Sequence, residues 1–248
     1  MIDTDALASL RAENARLTAL LDAHGIAWRL PPQAQTPTVA ELSRLTTDEK
    51  VALFRTLFRG RTDVYPIRWE GKTSGKSGYA PACANEWRAG VCEKPRIKCG
   101  DCAHRVLQPL TDAVIYDHLA GEHTVGVYPL LEGDTCHFLA VGFDEADWRE
   151  DAQAFIQSCT ELGVSAALEI SRSGQGAHAW VFFASAVSAR DARRLGTAII
   201  SHACTRTRQL QLTSYDRLFP NQDTMPKGGF GNLIALPLQK HPRERGFS

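Results

Sequence analysis

The sequence predicts an α/β (α+β) protein: a mixed sheet with packed helices, a small four-cysteine module and an N-terminal helix. Three observations predict it. From residue 108 onward, short apolar runs of strand type alternate with amphipathic helical segments. Four of the seven cysteines crowd into residues 83–102, a stretch without apolar periodicity. Leucines recur at three- and four-residue intervals near the start, set off from the rest by a proline-rich stretch. A chain of 248 residues that is 44% hydrophobic and 23% charged is not a disordered protein, a collagen-like fibre or a coiled-coil rod.

The elements follow in order. Residues 5–24 read as a helix, with Leu7, Leu10, Asn14, Leu17 and Leu21 on one seam and Gly25 as its C-cap. Asn14 takes an a position, the place where a polar residue fixes register in a two-stranded coil. The pattern therefore suits a homodimer formed through this helix, or an amphipathic helix packed on its own domain. LPPQAQTPTV (30–39) holds three prolines and reads as a linker. Thr46 or Thr47 caps the next helix, whose apolar face carries Val51, Phe54 and Phe58. Strands are expected at 137–144, 166–172, 177–183 and 231–238, and helices at 148–163 and 188–206. The expected organisation is an N-terminal helix over 1–30, a basic zinc-binding module over 41–107 and a core over 108–248.

The module follows from Cys83, Cys92, Cys99 and Cys102, in C-x8-C-x6-C-x2-C. Four thiolates around Zn²⁺, with Zn–S distances of about 2.3 Å, supply the stability that this stretch cannot draw from a core. With every position filled by protein sulfur the metal is structural, and His104 is superfluous as a ligand. No run of about 18 apolar residues offers a transmembrane span. MIDTDALASLRAEN lacks a secretory h-region, so a cytoplasmic location, where disulfides are disfavoured, is expected. Cys136, Cys159 and Cys204 read as small core residues.

Equal numbers of acidic and basic residues, 28 each, conceal a segregation. Residues 55–107 carry 11 basic and 5 acidic side chains, 108–170 carry 1 and 12, and 171–248 carry 11 and 4. An acidic centre between basic flanks suits a metal-holding site that handles polyanions. GKTSGKS (71–77) is not a phosphate loop: its glycines stand one residue too close, and no apolar strand precedes it.

Three segments carry candidate chemistry. FLAVGFDEADW (138–148) delivers Asp144 at a strand end, with position 142 on the same face. SRSGQGAH (171–178) brings Ser173, Gly174, Gly176 and His178, glycines that let a backbone approach phosphate and a ring that can donate to it. SYDRLFPNQD (214–223) carries Asp216, followed by TMPKGGFGN (224–232). Carboxylates from separate elements beside such a turn fit two-metal phosphoryl or nucleotidyl transfer.

In this order the segments resemble the archaeo-eukaryotic primase superfamily, above all the primase domain of TOTE conflict systems and CRISPR-associated primase-polymerases. The likeness spans nearly the whole chain, including FRGR-x-DVYP-x-RWE (58–70), the four cysteines, YPLL (128–131), SRSGQGAHAW (171–180) and FPNQDTMPKGGFGNLIALPLQ (219–239). The resemblance implies a nucleotidyltransferase, a DNA primase or DNA-directed polymerase. Its partners would be nucleoside triphosphates and single-stranded template or primer-template DNA. Asp144 and Asp216 would hold catalytic Mg²⁺ or Mn²⁺, and His178 would contact the triphosphate with Ser171, Arg172, Ser173, Gly174, Gly176 and Lys227. The basic 55–107 stretch would grip template phosphates. Resembling proteins continue past RERGFS, often into a helicase, so a C-terminally truncated core with a helicase or nuclease partner is expected. One departure stands out: the family's Asp-x-Asp pair falls on Gly142 and Asp144. Glu145 should point to the other strand face, and only a distorted strand end would let it or Asp147 substitute. A nucleic-acid-binding module with a decayed site is the alternative, and a related metal-dependent nuclease a third reading.

Overall fold

The structure, a computed structural model, describes residues 4–25, 44–71, 75–144, 146–206 and 215–247. It divides into two compact units at Thr46/Thr47. In the first, α1 runs Thr4–Ala23, and Gly25 follows at φ +65°, the left-handed conformation that ends a helix. Leu17 and Leu20 are exposed in the single chain. The side chains of Leu7 and Leu10 and the 30–39 stretch lie outside the described residues.

The second unit contains α2 (Thr47–Leu57), β1 (Pro66–Glu70), β2 (Ser77–Pro81), α3 (Asp112–Ala120), β3 (Gly126–Val127), β4 (Thr135–Asp144) and α4 (Trp148–Glu161). It continues with β5 (Ala167–Ile170), β6 (Gly176–Ser188), α5 (Ala189–Arg206), β7 (Tyr215–Phe219), β8 (Ile234–Ala235) and α6 (Lys240–Glu244). Its main sheet has the order β5-β6-β4-β7. Every pairing in it is antiparallel, which corrects the expected mixed sheet. Each helical crossover, β4-α4-β5 and β6-α5-β7, skips one position, and an oppositely directed strand fills the gap. The result is the split β-α-β arrangement of ferredoxin-like folds.

Alternation along the strands sends side chains to two cores. Leu139, Val141, Phe143, Ala179 and Val181 face Trp148, Phe155 and Ile199 of α4 and α5. Phe138, Ala140, Trp180 and Phe219 face Phe54 and Phe58 from the α2 segment and Ile115 of α3. Full burial of a side chain such as Phe138 or Phe155 stabilises the fold by about 1.5–3 kcal/mol. Val51, Phe54, Tyr65 and Ala82 belong to the second core, so α2 and the residues flanking β1 and β2 pack on this face of the sheet. The strand expected over 231–238 shortens to β8, since Pro237 has no N–H to donate and Leu238 turns at φ +64°. Conversely, β6 outruns its expected end and pairs back to Thr135 across an irregularity between Cys136 and Phe138.

None of the seven cysteines forms a disulfide. Burial pushes the Cys136 thiol up to about 12 and that of Cys159 to about 11, as befits inert core residues. Among the described residues, no helix is long and apolar enough to cross a membrane.

His118 ties α3 to the rest. Its Nδ1 accepts the Val125 N–H at 3.2 Å, and its Nε2–H donates to the Pro237 carbonyl at 2.9 Å, which requires a neutral ring. Burial lowers its pKa from 6.5 to about 4. The native state thus resists a proton that the unfolded chain accepts below about pH 6.5. Stability contributed by this ring should be complete above that pH and lost as pH falls toward 4, by on the order of 3 kcal/mol. Urea unfolding at pH 7 and pH 4.5 measures this. The pH dependence should flatten in His118→Gln, and equal slopes in both proteins would refute the assignment.

Candidate active site

One row of residues crosses the sheet on the α2 side. The registers pair Glu169 with His178, His178 with position 142, and position 142 with Arg217. Residues directly opposite in antiparallel strands share a face, so these four positions line one surface. Two residues along β4, on the same face, Asp144 stands opposite Gly176. There, an added Cβ at 176 would come within 2.3 Å of Asp144 Oδ1 and 2.6 Å of the Phe143 carbonyl. Only glycine lets the carboxylate lie against this backbone.

The connection from β5 to β6 closes tightly. Ser171 N–H donates to Gly176 O and Gly174 N–H to Ser171 O, both at 2.8 Å. The Ser171 and Ser173 hydroxyls are hydrogen-bonded at 3.1 Å, and Ser173 Oγ accepts the Gln175 N–H at 3.2 Å. Gly174 sits at φ +76°. The turn therefore holds two hydroxyls, two glycines and the Asp144 carboxylate in one place.

His178 is oriented by a residue that the sequence reading missed. Glu169 Oε2 accepts from His178 Nδ1 at 3.1 Å and from Trp180 Nε1 at 2.8 Å. Both Glu169 and His178 are largely buried. A signal existed: once SRSGQG is taken as a hairpin connection, its register places 169 opposite 178.

Asp216 reaches the same surface through a distortion. The β4–β7 register shifts between Gly142 and Phe143, leaving Asp216 as the extra residue between Arg217 and Tyr215. Such a bulge re-aims a side chain. Its carboxylate accepts from Arg217 Nε at 2.5 Å and Nη2 at 2.9 Å. Hydrogen bonding to Asp216, followed by the weaker pull of Asp144, holds the Arg217 guanidinium above its ordinary pKa. Arg217, also unforeseen, thus belongs to both carboxylates.

Lys227 is not brought to this surface. Chain direction in β7 runs from the Asp144 end toward the start of β4, where Met225 N–H donates to Asp134 Oδ1 at 2.7 Å. Ten residues of strand, at about 3.3 Å each, separate the two ends. Asp147 stands exposed at the N-cap of α4, its side chain capping nothing, and Glu145 lies outside the described residues.

Cys83, Cys92, Cys99 and Cys102 line a single cavity of about 20 Å³, with His104 and Lys94. Cys99 opens a short 3₁₀ turn. Arg105 Nη1 donates to the Gly100 carbonyl at 3.0 Å, and Val106 N–H donates to Cys83 Sγ at 3.3 Å. Among the described residues, no three or more His, Cys, Asp or Glu side chains are placed to hold a metal ion. On the sheet, Asp144 and Asp216 are the two carboxylates beside Gly142, the position where the resemblance implied a third.

The split β-α-β sheet thus presents two carboxylates beside a glycine-rich Ser/His turn. The family described as the TOTE conflict system, Archaeo-Eukaryotic Primase domain, matches residues 49–248, and the chain belongs to that family. The family is one of primase-type nucleotidyltransferases. The match begins inside α2 and takes in every later element. No curated protein matches the chain.

Proposed function

We propose that this domain is a DNA primase-polymerase acting on a single-stranded or primed DNA template, with nucleotide binding intact and extension impaired by Gly142. The observation that carries the reading is the packing of Asp144 against Gly176 of the Ser-Gly-Gln-Gly turn, two residues along β6 from a His178 that Glu169 orients. In the reaction, the primer's 3′ hydroxyl gives up its proton to solvent and its oxygen bonds the α-phosphorus. The bond from that phosphorus to the bridging oxygen breaks, and pyrophosphate leaves.

Two carboxylates provide hard oxygen donors, the chemistry that Mg²⁺ and Mn²⁺ prefer, so Asp144 and Asp216 would hold the catalytic cation. Such a cation, when bound, offsets charge on the phosphates and the attacking oxygen. The chain's own residues do the positioning. With Nδ1–H given to Glu169, His178 presents Nε2 to the triphosphate; a proton there makes the ring a donor. Ser171, Ser173, Gly174 and Gly176 shape the turn against which phosphates lie, with Arg172 beside it. Cys83, Cys92, Cys99 and Cys102, which line one cavity, would hold one structural Zn²⁺ by drawing together thiolates that the described structure does not gather around one point. The basic 55–107 stretch would grip template phosphates, so binding should weaken steeply with salt. A helicase or nuclease partner, a second copy joined through α1, and a cytoplasmic location complete the proposal.

A second reading, nucleic-acid binding without extension, is favoured by the same Gly142 and by the guanidinium that already engages Asp216. Nucleotide binding should be lost in His178→Ala. In Glu169→Gln it should weaken roughly tenfold, since one charge-assisted hydrogen bond contributes about 1.5–3 kcal/mol. Equilibrium titration of a nucleoside triphosphate with Mn²⁺ reads this, with circular dichroism confirming folded variants. Unchanged affinity in both variants would refute the placement.

A further inference from the structure

We infer that a groove behind the 171–176 turn is a second phosphate-binding site, which takes consecutive phosphates of a nucleotide's polyphosphate tail or of a strand's 5′-triphosphate end. The inference rests on the reading that this chain handles nucleotides, and adds a place where phosphate is held apart from the candidate active site. The groove encloses about 320 Å³ between β1, the α3–β3 loop, Arg172 and the tail that includes α6. It shares Arg172 with the residues assigned above to nucleotide binding and contains none of Asp144, Ser173, His178 or Asp216.

Its charge is what identifies the ligand. Arg68, Arg172 and Arg245 line it together with His123 and His241, against the two acids Glu70 and Glu122. Arg68 is engaged by Glu70 at 2.9 Å. Among the described residues, Arg172 and Arg245 have no carboxylate within ion-pair distance, and the Arg245 guanidinium lies 5.7 Å from the centre of the Phe247 ring. Arg172 and Arg68 also converge on one phenol: burial pushes the Tyr79 pKa up, and Arg172 followed by Arg68 pulls it back. Guanidinium groups gathered in a groove repel one another unless an anion lies among them. Phosphate oxygens, like carboxylates, match the guanidinium fork, and a polyphosphate offers several such groups in succession to arginines spread along a groove.

The wall that carries Arg245 is built rather than loose. Gln239 is buried and donates from Nε2 to the Gly121 carbonyl at 3.2 Å. Arg243 Nη2 donates to the Leu119 carbonyl at 3.0 Å, and Phe247 N–H to the Pro242 carbonyl at 2.9 Å. The Phe247 ring seats directly on Gly174, where an added Cβ would come within 2.5 Å of Cζ. Arg245, two residues from that ring, is thereby held close to the turn that bears Arg172. Both walls are fixed before any ligand arrives, which limits the ordering cost of binding.

Calorimetric titration of the full chain with inorganic tripolyphosphate, without divalent cation, tests this. Arg245→Ala and Arg172→Gln should each weaken binding about tenfold, whereas His178→Ala should leave it within about twofold. Arg245 is exposed, so its variant should fold; an unchanged melting temperature checks that. A preference for a 5′-triphosphorylated oligonucleotide over its 5′-hydroxyl counterpart, removed by Arg245→Ala, assigns the groove to a strand end. No preference, with tripolyphosphate binding still lost in Arg245→Ala, assigns it to the free nucleotide. Tripolyphosphate binding that survives both arginine substitutions, or that falls only with His178→Ala, overturns the inference. The titration needs neither metal nor extension, so failure of the polymerase reading would leave its result interpretable.

Discussion

Gly142→Asp should raise primer extension by about two orders of magnitude or more over the natural chain. A carboxylate that completes a metal-dependent phosphoryl-transfer site acts on transition-state charge, where single groups commonly carry effects of that size. The structure makes room for it. A Cβ at 142 would lie 3.5 Å from Phe219 Cε2, 3.7 Å from the Arg217 carbonyl and 3.7 Å from His178 Cδ2, all ordinary contacts. The new side chain would share the surface of His178 and Arg217 and stand one alternation from Asp144. With only Asp144 and Asp216, charge balance is poorest where the attacking hydroxyl must lose its proton. Where the triphosphate contributes its own oxygens, the deficit matters less. The natural chain should therefore bind triphosphate with Mn²⁺ and extend primers weakly or not at all. A gel assay of both proteins, with Asp144→Ala in each, decides. Robust extension by the natural chain that ignores Asp144→Ala would mean the active site lies elsewhere. Extension that depends on Asp144 would mean that Glu145, Asp147 or another acid supplies the third ligand.

Removing zinc should unfold the cysteine segment, an effect comparable in size to the folding free energy of a whole domain. Structural Zn²⁺ sites contribute about 10–16 kcal/mol in apparent binding free energy, and the 83–102 stretch has little apolar burial to replace it. One Zn²⁺ per chain is expected, and Cys99→Ser should destabilise residues 55–107 while β4 and β6 keep their protection. The damage should spread in one direction. Arg105 clasps the Gly100 carbonyl and lies 5.5 Å from the centre of the Phe230 ring, which also packs on Tyr128. Loss of the fold around Cys99 and Cys102 should therefore free the 224–232 loop as well. Hydrogen exchange before and after chelation shows whether it does. Substoichiometric zinc in freshly purified, unchelated protein would contradict the site altogether.

The sequence by itself determined the pieces whose information is local. Apolar spacing set α2, β4, α4 and α5 nearly to their ends, because three-to-four and two-residue periodicities are written among near neighbours. The order of the acidic strand, the Ser-Gly-Gln-Gly-Ala-His segment and the Tyr-Asp-Arg segment was enough to indicate the family. Only the tertiary structure decided what depends on pairing. A strand–helix–strand rhythm looks the same whether adjacent strands end up parallel or are parted by a third, and here β6 entered between β5 and β4. Register then brought Glu169 to His178, and the bulge in β7 turned Asp216 onto the site with Arg217. The same antiparallel direction carried Lys227 to the far end of β4. Register and strand order are chosen by which long-range arrangement buries both faces of the sheet at once, and no short window of sequence contains that comparison.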